Sequence, residues 1–252
     1  MLSSPASAAH IVQLYDADEF VAAAVALFAA EGLKRGEAIV LTGTEEHQRA
    51  VRRELVTRDV DYDAAARRGQ LVPCCVREAA GAMLSDGVPD PGRFTAYARG
   101  VLDRARAGER FCGVRWWGEI TNFLHHQGHR DAALAAEAIG DAAAREDGVT
   151  VFCSFLCDRF DPHGYGTLRG LCGIHSHVIP AADYVAHRLA VNRAIAEVVG
   201  EIRGPLLQSL LSWKGLACDL PSSQALLFWL HEALPEHFQH VLERVRGYRA
   251  DA

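Results

Sequence analysis

Hydrophobic and polar positions along the chain switch between a short strand-like period and a helical one, and that alternation predicts strands separated by helices. Ile11-Val-Gln-Leu-Tyr15 is an apolar run, followed by an Ala-rich amphipathic helix over Phe20–Ala30, with Asp16 and Glu19 spaced as a capping box. Gly32-Leu-Lys-Arg-Gly-Glu37 leads into a second strand, Ala38–Thr42, and Thr44 caps a helix through Glu54. Gln70–Cys75 reads as a third strand, ahead of a short helix near Arg77–Leu84 and a turn-rich loop, Ser85–Gly92. A helix from Arg93 to Ala107 then feeds a strand, Phe111–Arg115. Helices around Glu119–His126 and Asp131–Arg145 precede the strand Val149–Cys157, and Ser176–Ile179 reads as a short return strand. Strands joined by helical crossovers predict an α/β fold: a mostly parallel sheet with helices on both faces.

From Ala181 onward the pattern is helical throughout, broken at Gly204-Pro205, at 214–223 and at Pro235. It predicts a long helix over about 181–203 and three shorter ones. Leu206, Leu207, Leu210, Leu211 and Leu226–Leu230 carry more apolar surface than an isolated helix can leave in water. The tail therefore packs on the α/β domain, forms a homodimer interface or docks a partner. Glu201-Ile-Arg203-Gly-Pro205-Leu206 faintly echoes a kinase phosphoacceptor box, but Gly200 stands where the histidine would be and cannot accept phosphate. A helix interrupted by Gly-Pro is the better reading.

Composition narrows the class. The 252 residues are half apolar, enough for a substantial core, and the net charge of −6 argues against direct nucleic-acid binding. No apolar run approaches the roughly 20 residues that span a bilayer. The uncharged start, Met1–Ala9, is too short for a signal peptide, so the expected location is the cytoplasm. Seven irregularly placed cysteines suit buried small hydrophobes in a reducing compartment. Cys153 and Cys157 look like a metal pair, but four residues along a strand span roughly 13 Å, too far to share a zinc ion.

The first strand–turn–helix has the outline of a nucleotide site without its phosphate loop. A phosphate-cradling ATPase carries GxxxxGK[ST] at this turn. This chain has Asp16, Asp18 and Glu19 there, with no Gly or Lys. Carboxylates at a helix start satisfy its amides and repel polyphosphate.

Several short motifs then occur in a telling order. They are His10 with Leu14-Tyr15, Gly32-Leu-x-x-Gly36-Glu37, Gly69-Gln-Leu71, Gly113-x-Arg115-x-x-Gly118-Glu119, Phe155-Leu-Cys157 and His175-x-His177-x-Ile179. In this order and spacing the chain resembles the MEDS domain, the methanogen/methylotroph DcmR sensory domain, over residues 8–184, which leaves 185–250 as a C-terminal helical segment. The resemblance implies a RecA/KaiC-like fold with a degenerate nucleotide loop. It also implies a non-enzymatic signal-input role, in which a small molecule or regulatory protein is sensed and its state passed to transcriptional or kinase signalling. It names no ligand.

Ligands of open parallel sheets bind beyond the carboxyl ends of the strands. The expected ligand-binding residues are Tyr15, Asp16, Arg115, Trp116 and Glu119, with His10 and His177 in support. Arg115, ending a buried strand, needs an anionic partner: a ligand, or Glu119 or Asp158 in a purely structural role. Trp116 and Trp117 face opposite ways, one into the core and one onto an apolar pocket. Glu119 has an ordinary role at a helix start, and Glu45 and Glu46 read as a solvated first turn. His125, His126 and His129 read as exposed or capping. Cys172, His175 and His177 are weak metal candidates against a structural hydrogen-bonding role, so no cofactor is expected, with metal or haem as the exception. The alternative function is a residual nucleotide-binding or hydrolysing enzyme, or a metal or haem sensor through those three residues. Ser-nucleophile, HExxH and phosphate-loop motifs are all missing from the sequence.

Overall fold

Near-continuous apolar runs become strands buried on both faces, as a parallel sheet requires. In the computed structural model, residues 1–15, 18–106, 111–156, 165–179, 184–200 and 222–250 are described, so Asp16 lies outside them. The chain divides into two compact units, Met1–Leu156 and Cys157–Ala252.

The first unit contains β1 (His10–Tyr15), α1 (Asp18–Lys34), β2 (Ala38–Gly43), α2 (Glu45–Val56), α3 (Tyr62–Arg67), β3 (Leu71–Cys75) and α4 (Val76–Met83). A two-stranded turn, β4 (Leu84–Ser85) with β5 (Val88–Pro89), replaces the expected plain loop. Next come α5 (Pro91–Ala105), β6 (Val114–Gly118), α6 (Ile120–His126), α7 (Arg130–Asp147) and β7 (Thr150–Leu156). Within this unit the strands lie in the order β3-β2-β6-β7-β1, all parallel.

Alternation sends Ala38, Val40, Val114, Trp116 and Val149 to one face, where they pack with Ala98, Val101, Leu102 and Ala105 of α5. Ile39, Leu41, Trp117 and Phe152 are buried on the other face, where the Phe28 ring of α1 meets Phe152 at 5.3 Å between centroids. This parallel sheet with helices on both faces is consistent with a RecA/KaiC-like α/β fold. The Gly32–Gly36 pair has separate physical causes. A Cβ at Gly32 would lie 2.6 Å from Ile39 Cδ1 and 2.8 Å from Arg115 Cδ, while Gly36 closes its turn at φ +79°.

The second unit contains α8 (Tyr165–Ile174), β8 (His177–Ile179), α9 (Tyr184–Val199), α10 (Ser222–Ala233) and α11 (Pro235–Ala250). The expected long helix is shorter, ending where Gly200 takes φ +108°. Helix α11 packs along α9, and α10 touches α8, α9 and α11. The apolar tail residues Leu226, Leu227, Phe228 and Leu230 are buried, together with Phe238, Val241, Leu242 and Val245. Leu206–Leu211 and the phosphoacceptor-like stretch lie outside the described residues. Among the described residues no helix is long and apolar enough to cross a membrane.

Candidate functional site

Strands β2 and β6 are neighbours, but the chain leaves β2 toward β3 and leaves β6 toward β7. Their carboxyl ends therefore flank the topological switch point, where open α/β sheets hold ligands. Here the chain fills that crevice with its own anion. Glu119, 1% exposed, accepts from the Thr44 backbone N–H at 3.1 Å and contacts His47 Nδ1 at 2.5 Å. The Ser154 hydroxyl donates to Glu119 Oε1 at 3.4 Å, and Trp117 Nε1 donates to Ser154 Oγ at 3.0 Å. Thr44 caps α2, its hydroxyl accepting from the His47 N–H at 3.2 Å. A Cβ at Gly43 would stand 2.4 Å from Trp117, so only glycine permits this closure.

Glu119 precedes α6 but makes no side-chain cap there; its charge serves the amino end of α2 instead. A phosphate would be drawn to that same kind of position. Tyr15 borders the crevice: its hydroxyl accepts from Asn122 Nδ2 at 3.2 Å, and its ring meets His47 edge-on. Glu45 and Glu46 are exposed in the first turn of α2, as their pattern suggests.

Arg115 requires a correction. The strand begins at Val114 and not at Phe111, which moves Arg115 from the last position of a strand to the second. It therefore lies toward the opposite end of the sheet from Glu119. Its Nε donates to Glu37 at 2.5 Å, and Nη1 donates to the carbonyls of Phe28 at 3.1 Å and Leu2 at 3.0 Å. The guanidinium also sits over the Phe28 ring, 5.2 Å from its centroid. The partner is Glu37, not Glu119, because pairing of Ala38 with Val114 brings the segment before β2 beside Arg115. Asp158 lies outside the described residues.

Trp116 and His10 come together on the other face. Both line a cavity of about 80 Å³ whose apolar wall includes Met83, Phe94, Leu102 and Val151. Trp116 is anchored through Nε1, which donates to Thr42 Oγ1 at 2.9 Å. A polar cluster lies in the same wall. His10 contacts Asp141 Oδ1 through Nδ1 at 3.0 Å and Glu137 Oε1 through Nε2 at 3.1 Å. Cys153 Sγ lies 3.2 Å from Glu137 Oε1 and 3.5 Å from His10 Nε2. The second oxygen of Glu137 accepts from the Thr121 hydroxyl, and Asp141 also pairs with Arg145. His10, Glu137 and Cys153 thus form a compact set of donors capable of coordinating a metal.

Burial, and then the charge of Glu137, push the Cys153 thiol well above its ordinary range. It should therefore resist iodoacetamide at neutral pH while the exposed Cys75 and Cys112 are modified. Peptide mapping after a timed exposure tests this; labelling of Cys153 as fast as Cys112 would contradict it.

His177 begins β8, with Nδ1 2.9 Å from Ser176 Oγ. The segment before it is helical, α8 running through Cys172 to Ile174. His175 is buried, its Nδ1 2.7 Å from the Leu171 carbonyl, and Cys172, His175 and His177 do not gather as a ligand set. His126 and His129 are exposed, and His125 stacks edge-on against Phe155. Sequence reasoning missed Glu137, Asp141 and His47, and treated Cys153 as mere packing. One signal was available. Glu137 and Asp141 are spaced i,i+4 within the buried Ala133, Ala136 and Ala144 stripe of α7, where unpaired carboxylates would be costly.

The methanogen/methylotroph DcmR sensory domain family, MEDS, matches residues 9–176. No curated protein is significantly similar to the chain.

Proposed function

The chain belongs to MEDS, a family of non-catalytic sensory domains, and from that premise we propose that its signal is a small, largely apolar molecule held in the cavity beside Trp116. The observation that carries this reading is the cavity itself, about 80 Å³ with apolar walls and a buried polar cluster in one of them. An engineered apolar cavity of about 150 Å³ accepts benzene, whereas one water occupies about 30 Å³ of liquid. The occupant is therefore smaller than benzene, with one polar group to meet His10 or Glu137. Of the residues assigned to recognition from the sequence, His10 and Trp116 carry the proposal. Tyr15 and Glu119 close the switch-point crevice, Arg115 holds the opposite end of the sheet, and Asp16 and His177 have no role in it.

In this reading residues 8–184 are the input module and 185–250 relay its state, through a homodimer or a regulatory protein of a transcriptional or kinase pathway. The protein acts in the cytoplasm without touching nucleic acid or membrane. A series of short-chain alcohols titrated into the purified chain, followed by tryptophan fluorescence with Trp116→Phe as control, tests the site. Binding should saturate and should fall about 100-fold or more in Ala136→Leu, which fills the cavity at an overpacking cost of about 1–3 kcal/mol. Unchanged binding by Ala136→Leu would place the site elsewhere.

A further inference from the structure

We propose that His10, Glu137 and Cys153 bind a divalent, borderline-soft metal ion, with zinc the best match. This goes beyond the signal-binding reading and does not depend on it. The three residues come from β1, α7 and β7, yet Nε2, Oε1 and Sγ stand 3.1, 3.2 and 3.5 Å apart. Zinc bonds of about 2.0 Å to nitrogen or oxygen and 2.3 Å to sulfur, at tetrahedral angles, give edges of about 3.3–3.6 Å. The observed triangle is nearly one face of that tetrahedron, so an ion enters with shifts of a few tenths of an ångström.

The surrounding contacts match what a metal site needs. Asp141 takes the Nδ1 side of His10, so Nε2 is the nitrogen that faces Glu137 and Cys153; a carboxylate behind a ligating imidazole fixes its tautomer and raises its basicity. Thr121 holds the second oxygen of Glu137, and Oε1 is the one that faces His10 and Cys153. Arg145 anchors Asp141 in turn. The Cys153 thiol donates to Glu137 Oε1, and a bound cation would take the place of that proton among three donor atoms facing one point. On binding, the Cys153 thiol gives up its proton to solvent.

The test uses the full-length chain after chelator dialysis, titrated with zinc against a chromogenic chelator and, separately, loaded with cobalt(II). One high-affinity equivalent is expected, with a thiolate-to-cobalt charge-transfer band that vanishes in Cys153→Ser and persists in Cys75→Ser and Cys112→Ser. Asp141→Asn should weaken zinc by about 10–100-fold with the fold retained by circular dichroism. Should Cys153→Ser fail to fold, zinc-edge absorption of the wild-type protein decides: one sulfur at about 2.3 Å supports the site. A shell with no sulfur or several, or zinc affinity unchanged in folded Cys153→Ser and Glu137→Gln, overturns it. No signal molecule is present in any of these measurements, so their failure leaves the small-molecule reading standing.

Discussion

Arg115→Ala is expected to destabilise the first unit by about 3–5 kcal/mol while leaving the affinity of each folded molecule for its signal unchanged. The side chain is fully buried, and its loss removes donors from Glu37 and from the Phe28 and Leu2 carbonyls at once. Glu37 is itself partly exposed and can turn to water, so most of the cost falls on the buried carbonyl of Phe28 and on the void beside Gly32. At about 2–4 °C per kcal/mol for a chain of this size, the melting temperature should fall by about 6–20 °C. Arg115→Lys should recover only a part, because an ammonium cannot reach three acceptors with a planar fork. Thermal denaturation of the three proteins, with binding measured well below their midpoints, checks both halves. A stable Arg115→Ala protein that no longer binds would return Arg115 to the ligand site.

Removal of Glu119 should have an effect of similar size for a different reason. Glu119→Ala strips the acceptor from the Thr44 amide, His47 and Ser154 in a crevice where water does not reach, at about 3–5 kcal/mol. It also reopens an anion position at the start of α2. Acetate or phosphate in the buffer should therefore raise the melting temperature of Glu119→Ala by several degrees more than that of the wild type. Glu119→Gln, which keeps the shape and one carbonyl, should lose less stability and show little rescue. Equal anion responses in wild type and Glu119→Ala would mean that the carboxylate does not occupy a ligand's place. The pairing also gives the missing phosphate loop a structural counterpart: in this crevice the fold supplies its own negative charge.

Local pattern determined the element order, because apolar runs between turn residues and helical periods are properties of a few neighbouring side chains. The Thr44 cap, the parallel sheet between two helical layers and the opposed faces of Trp116 and Trp117 all followed from short-range rules. The missing phosphate loop was equally plain, since that chemistry needs particular residues at one turn. The motif order of the family was legible for the same reason.

Only tertiary structure decided what those residues meet. A three-residue shift in the start of β6 carried Arg115 toward the far end of the sheet, and no local signal distinguishes one end of an apolar run from the other. His10 and Asp141 lie 131 positions apart in sequence, and His47 and Glu119 lie 72 apart, so neither contact is written in any spacing. Cys153 read as packing because it sits in a largely apolar strand; its polar partners arrive from α7 and β1 when parallel pairing sets β1 beside β7. A side chain's chemistry is local, but its partner depends on register and crossover, which arise only when the whole sheet closes.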